Sequence, residues 1–141
     1  MDDKGQISLE YLLILVISLI ILIAFTLPLM DYGMGVALDV SDSLKVKSDL
    51  SDIALAVKTV YNEGQGSKQT VHVQPKDSIK VNVGQSHISA SMPLHEGGYK
   101  KIKVSCKSNL ESSSIYLRKG SNTIIVEWPV NSENMTIFTG F

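Results

Sequence analysis

The N-terminus holds the residues whose types and spacing carry the most chemical meaning. The stretch KGQISLEY, Lys4 to Tyr11, contains one carboxylate, Glu10, at the head of a long aliphatic run. A charge there is costly to bury without a cationic or hydrogen-bonding partner. Gly5 permits backbone conformations that other residues resist, although a glycine also serves as a plain spacer at a helix start. The helix dipole alone also favours Glu10 in a first helical turn, so both interpretations stay open at this point.

The rest of the chain offers few patterns for catalysis or ligand chemistry. His72, His87 and His95 fall on separate predicted elements, without the spacing of metal ligands. The serines form no G-x-S-x-G motif, and no Walker or dinucleotide fingerprint occurs. We therefore expect no catalytic residue, no metal site and no cofactor, and we predict that the protein is not an enzyme.

The charge distribution and the cysteine content limit the partners and the covalent cross-links that the chain can have. The formal net charge is −1, with 4 basic and 8 acidic residues in 1–61 and 9 basic and 6 acidic residues in 62–141. This balance gives no indication of nucleic-acid binding. A basic cluster is interpreted as a solvated strand face, with contact to acidic surfaces or neighbouring subunits as the alternative; its members are Lys100, Lys101, Lys103 and Lys107. The single cysteine, Cys106, cannot form an internal disulfide and is expected to be a small buried thiol in a strand.

A long apolar segment follows the N-terminal motif. Leu12 to Met30 is apolar apart from two hydroxyl residues and Pro28, and these 19 residues are about the length of a membrane-spanning helix. The run is longer than the core of a secretory signal, and no A-x-A cleavage site follows it, so we expect it to stay on the protein. Pro28 removes one helical hydrogen bond and, with the glycines after it, predicts a possible kink at 28–35.

The next segment, Val36 to Tyr61, has helical periodicity and ends at NEGQGS, residues 62–67. Its apolar stripe is expected to be half buried against a sheet or a neighbouring helix. The predicted members of this stripe are Val36, Val40, Leu44, Leu50, Ala54, Val57 and Tyr61, with Ile53 and Val60 beside them.

Beyond residue 67 the apolar residues alternate with polar ones, a period of two that is typical of β-strands. Short alternating segments between turn-rich breaks predict five to seven antiparallel strands, with Trp128 as a core anchor. The predicted fold class is α+β: a long N-terminal apolar α-helix continues into an amphipathic helix, and an antiparallel β-sandwich or small β-barrel head follows.

The opening stretch resembles the processing site of archaeal type IV pilin precursors, which carry a class III signal peptide. In the most similar subgroup a Lys-Gly pair is followed by Gln-x-Ser-x-Glu-Tyr and then by the apolar helix. The matching positions in this chain are Lys4, Gly5, Gln6, Ser8, Glu10 and Tyr11. Beyond the apolar helix the resemblance is architectural only.

The resemblance implies cleavage between Gly5 and Gln6 by a membrane-embedded prepilin peptidase. It divides the chain into a leader (1–5), a transmembrane and filament-core helix (6–61) and an extracellular β-rich head (62–141). The precursor would lie in the cell membrane and then assemble with copies of itself and other pilins. The product would be a helical surface filament, a pilus, that supports attachment. A membrane assembly platform and its ATPase would act indirectly, and no nucleic-acid partner is expected.

Two further residues gain a role from this resemblance. Cleavage would create an α-amino group at Gln6, and Glu10 would meet such an amine, or hydrogen-bond donors, on a neighbouring subunit during docking. Asn134 lies in NMT, the chain's one N-x-[ST] sequon, and is an N-glycosylation candidate because the head would be extracellular.

Two alternatives stay open. The chain could be a non-polymerising single-span membrane protein whose extracellular β-rich domain binds a partner. It could also be an archaellin, although archaellin precursors usually have a glycine-rich stretch where this chain has Gln-Ile-Ser-Leu-Glu-Tyr.

Overall fold

The computed structural model describes residues 3–106 and 109–140, with side chains described from residue 8 onward. One helix, α1 (Asp3–Glu63), precedes seven strands. The strands are β1 (Lys68–Val73), β2 (Ile79–Gly84), β3 (His87–Pro93), β4 (Tyr99–Ser105), β5 (Ser113–Leu117), β6 (Asn122–Glu127) and β7 (Thr136–Gly140). The predicted α+β class is confirmed, and each segment with a period of two forms a strand.

The strands make two antiparallel sheets. One sheet has three strands in the order β1-β6-β7, and the other has four in the order β4-β3-β2-β5. Gly97 and Gly98 between β3 and β4 have φ angles of +92° and +90°, a conformation that glycine adopts without steric cost. Among the described residues neither sheet closes on itself, which excludes the barrel alternative for the head.

Contacts divide the chain into two compact units, Met1–Leu38 and Asp39–Phe141. In the first unit α1 runs without interruption through Pro28. The Thr26 hydroxyl donates to the carbonyl oxygen of Leu22 at 2.6 Å, one turn back along the helix. A bend at 28–35 stays a prediction, because the helical assignment neither requires nor excludes one.

In the second unit the C-terminal part of α1 shares one apolar core with both sheets. Leu50 and Val57 of the predicted stripe are fully buried, as are Ile53 and Val60 beside it. The sheets contribute the remaining large, fully buried apolar side chains of the strands, which are Val73, Val81, Ile88, Leu117, Ile124 and Val126. This shared core explains how a helix with a modest apolar stripe is held against the sheets.

The predicted stripe was wrong over its first half. Val36, Val40 and Leu44 are 42%, 51% and 62% exposed. Successive steps of four residues overshoot the helical repeat of 3.6, so these positions rotate away from the core face. The buried side chains instead alternate steps of four and three along one face, which keeps them in register. They run Val46, Leu50, Ile53, Val57, Val60.

Two polar contacts tie α1 to loops of the head. The Asp39 carboxylate accepts hydrogen bonds from the backbone N–H of His95 at 3.0 Å and lies 2.8 Å from His95 Nδ1. The side-chain and backbone hydrogen bonds of His95 lower the pKa of Asp39. The Lys76 ammonium group pairs with Asp42 at 3.0 Å. The start of the second unit is therefore fixed by polar groups as well as by the core.

We predict that Leu50→Ala and Leu55→Ala separate the two faces of α1 within the head. Leu50 is fully buried and Leu55 is 62% exposed. Leu50→Ala should lower the free energy of unfolding by about 2–5 kcal/mol through lost burial and a cavity, and Leu55→Ala by less than about 0.5 kcal/mol. Denaturant unfolding of the full chain in detergent, followed by Trp128 fluorescence, measures both. Equal losses would contradict this packing.

Candidate processing and assembly site

The predicted cleavage site lies in the first turns of α1. The helix begins at Asp3, so the backbone of Gly5 and Gln6 is helical, while the side chains of Lys4 and Gln6 lie outside the described part. A peptidase needs this bond extended, so the turn must open first. Helix starts fray because their first N–H groups lack intrahelical partners, and glycine weakens a helix by about 1 kcal/mol relative to alanine. Gly5 therefore stands where local opening is easiest.

The remaining motif residues face outward. Ser8 and Glu10 are exposed, and Tyr11 is 70% exposed. Glu10 follows Gln6 by four residues, which in an α-helix is a rise of about 6 Å along the same face. The backbone nitrogen that cleavage would free and the Glu10 carboxylate therefore share one side of the helix. Being exposed in the single chain, the carboxylate is accessible to a group from a neighbour.

The helix beyond the motif is apolar on all sides. Large apolar and aromatic side chains from Leu9 to Met34 are between 47% and 70% exposed. The segment Ser8–Glu63 includes a stretch long and apolar enough to cross a membrane, and none of that stretch is buried within the chain. A helix without a polar face is stable only in lipid or among other apolar helices. This surface is the dominant feature of the first unit.

Comparison with known proteins identifies the same segment. Residues 4–29 match the family model described as Class III signal peptide. The match includes the whole motif and nearly all of the apolar run, and it supports a type IV pilin-like or archaellin-like precursor anchored in a membrane. No curated protein and no solved structure matches the chain. The likeness is thus confined to the N-terminal part of α1.

The candidate glycosylation residue lies in an open turn. Asn134 is exposed and precedes β7. The hydroxyl of Ser132 holds this turn, donating to the Asn134 carbonyl oxygen at 2.8 Å and accepting from the Asn134 N–H at 3.3 Å. Asn131 in the same turn has a φ of +67°, which asparagine tolerates better than most residues. The Asn134 amide is therefore presented on a structured, accessible loop.

The other residues singled out from the sequence lie apart from this motif. Cys106 is buried directly after β4, and burial raises the pKa of its thiol. No group of three potential metal ligands occurs within residues 3–106 and 109–140. Trp128 packs against the core and stacks on Tyr61, with ring centroids 5.7 Å apart. The stack joins the end of α1 to the end of β6.

The periodicity of the sequence does not predict the two polar contacts that hold α1 to loops of the head. Asp39 and Asp42 pair with His95 and Lys76, which lie 56 and 34 residues further along the chain. One weak feature of the sequence could have indicated these contacts. Both carboxylates lie where α1 changes from an all-apolar to an amphipathic composition. Only the folded topology supplies their partners.

Proposed function

We propose that the chain is a structural subunit, a pilin, of an archaeal type IV pilus-like surface filament, and that it has no catalytic activity of its own. It is made as a membrane-anchored precursor and cut between Gly5 and Gln6 by a prepilin peptidase. Its N-terminal helix then packs with copies of itself and with other pilins, and the β-rich head faces the outside, where the filament supports attachment. The membrane assembly platform and its ATPase act on it indirectly.

One observation carries this proposal. The class III signal match at residues 4–29 coincides with a helix whose large apolar side chains are exposed all round. An ordinary signal peptide is removed, whereas a cut after Gly5 leaves the whole apolar helix on the mature chain. Such a helix needs a second environment once it leaves the lipid, and a bundle of identical helices provides it.

The free energy of assembly cannot come from the hydrophobic effect alone, because lipid tails are as apolar as the side chains that line this helix. Close packing and polar pairing must supply the difference. The exposed face of α1 that continues past the membrane-length run, with Leu44 and Leu55 each 62% exposed, offers further packing surface outside the lipid. Glu10 supplies the polar pairing near the new N-terminus.

We predict that mature protein from filaments begins at Gln6. Gly5→Ala should slow processing about fivefold, because the added methyl group stabilises the local helix by about 1 kcal/mol against opening. N-terminal mass spectrometry and the ratio of precursor to mature chain measure both effects.

Gly33→Ala is the matched control for that substitution. Gly33 lies in the same helix, and a Cβ there meets no atom within 4 Å, so processing should keep its normal rate. Functional protein that retains Met1 would instead support the non-polymerising membrane anchor, and equal slowing by both substitutions would contradict the role given to Gly5.

We further predict that Glu10 guides docking of an incoming subunit. Losing one partner of a buried charge pair costs about 2–5 kcal/mol, so Glu10→Ala should reduce filament yield at least about tenfold. Asp31→Ala removes the other acidic side chain that α1 carries between Glu10 and Asp39 and should leave the yield unchanged. Filament counts by electron microscopy, at matched precursor levels, decide the point. Wild-type yield for Glu10→Ala would overturn this role.

We also propose Asn134 as an N-glycan acceptor, since the side chain is exposed on the head. The peptide containing Asn134 should carry a glycan mass increment in protein from the native cell. The increment should vanish in Thr136→Ala, which removes the sequon, and persist in Thr139→Ala. An unmodified peptide in native filaments would contradict the assignment.

A further inference from the structure

The two sheets of the head differ in how their charged side chains are paired. In the three-stranded sheet the Lys68 ammonium group of β1 lies 4.0 Å from the Glu127 carboxylate of β6. The sequences of β2, β3, β4 and β5 contain four lysines and no aspartate or glutamate. None of these lysines forms an ion pair within the part of the chain that the structure describes. The four-stranded sheet therefore carries cationic charge that its own strands do not neutralise.

Alternation along β4 divides the predicted basic cluster between the two sides of this sheet. Ile102 is buried, so its neighbours Lys101 and Lys103 point to the outward face, where both are exposed. Lys100 stands two residues from Ile102 and therefore on the core side, and Lys107 lies outside the described residues. The outward face receives two of the four predicted cations.

The electrostatics of α1 agree with this placement of Lys100. The side-chain and backbone hydrogen bonds of His95 are the main causes that lower the pKa of Asp39, and the charge of Lys100 adds to them. Asp39 belongs to α1, which shares the core with both sheets. Lys100 therefore lies near a carboxylate of its own chain, on the side opposite to Lys101 and Lys103.

The strand register brings side chains from all four strands into two rows on the outward face. From β5 to β4, the first row contains Tyr116, Lys80, Ser91 and Lys101. The second row contains Ser114, Asn82, Ser89 and Lys103. Each row crosses three spacings between strands, a distance of about 14 Å. Lysines thus stand at the β4 end of the face and again on β2, with hydroxyl and amide groups beside them.

The β5 end of this face adjoins a groove. Its volume is about 730 Å³, and its walls include Ser114, Tyr116 and Arg118. Tyr116 is 61% exposed, and Arg118 forms no ion pair among the residues that the structure describes. The groove therefore adds a fourth cation and an aromatic surface at the end of the two rows.

These groups are complementary to an acidic sugar polymer. Lysine and arginine pair with carboxylates, serine and asparagine donate to and accept from sugar hydroxyls, and tyrosine offers an apolar ring with a polar tip. Single-stranded nucleic acid is recognised differently, by several aromatic side chains on which successive bases stack. Tyr116 is the one aromatic residue of the two rows, which favours a sugar polymer over nucleic acid.

We propose that the outward face of the four-stranded sheet binds an acidic polysaccharide, a linear sugar polymer that carries carboxylates. Lys101 and Lys103 hold one part of the polymer, Lys80 the next, and Tyr116 and Arg118 the part that reaches the groove. These contacts are few and exposed, so one head binds weakly and an array of heads gains by avidity. The site rests on the head alone, whereas its use for attachment rests on the filament function proposed above.

Fluorescence anisotropy with fluorescein-labelled oligogalacturonate tests the site in the full chain. The protein is kept in a polyoxyethylene detergent, which has neither charge nor sugar. We expect binding that weakens as the salt concentration rises, because exposed ion pairs are screened and pairing releases counterions. The same oligosaccharide with its carboxylates methyl-esterified should bind at least about tenfold less tightly, since it offers the lysines no charge.

Neighbouring lysines supply the matched variants. Lys101→Gln, Lys103→Gln and Lys80→Gln should each weaken binding about two- to fivefold, as expected for exposed ion pairs. Lys100→Gln removes the same charge one residue away, on the core side of β4, and should leave the affinity unchanged. All four lysines are exposed, so the substitutions should not disturb the fold.

Three results would overturn the proposal. Equal weakening by Lys100→Gln and Lys101→Gln would reduce the effect to net charge. Equal affinity for the charged and the esterified oligosaccharide, or no binding of either, would remove the role of the lysines. Tighter binding of a labelled oligothymidylate of equal charge would assign the face to nucleic acid. Each result is measured on the unassembled chain, so it leaves the proposed filament function to be judged by its own tests.

Discussion

The apolar surface of the N-terminal part of α1 needs a nonaqueous environment, and the behaviour of the whole protein depends on how that need is met. Side chains from Leu9 to Met34 are exposed on every side of the helix, and water is an unfavourable solvent for such a surface. Lipid satisfies the requirement in the precursor. A bundle of such helices, as we propose for the filament, would satisfy it equally well. Transfer between the two environments would then be nearly balanced, so a single polar contact, such as the one we propose for Glu10, would carry weight.

The second part of the same helix meets a different constraint. From Asp39 onward α1 contributes Leu50, Val57 and neighbouring side chains to the core of the head, and Asp39 and Asp42 fix it to two loops. Loss of this packing would leave the sheets without one wall of their core. One continuous element therefore serves two environments, with the change from all-round to one-sided apolar character at the boundary between the compact units.

Local patterns were sufficient to predict the elements of the fold but not the long-range contacts. A period of two predicted the strands from β1 to β7, and the N-terminal motif predicted the segment that matches a class III signal peptide. The helix face was predicted less well, because the position of Leu44 depends on small rotational errors that accumulate along a helix. The pairing of Asp39 with His95 was not predicted, since contacts between a helix and a distant loop depend on chain topology.

A helical reconstruction of the native surface filament by electron cryomicroscopy tests whether the N-terminal helix of this protein forms a filament core. We predict a filament whose subunits begin at Gln6. Their helices form the core, with Glu10 against a polar or cationic group of a neighbour and the β-rich heads outside. A filament built from other chains, with this protein left in the membrane as an unprocessed single span, would contradict it.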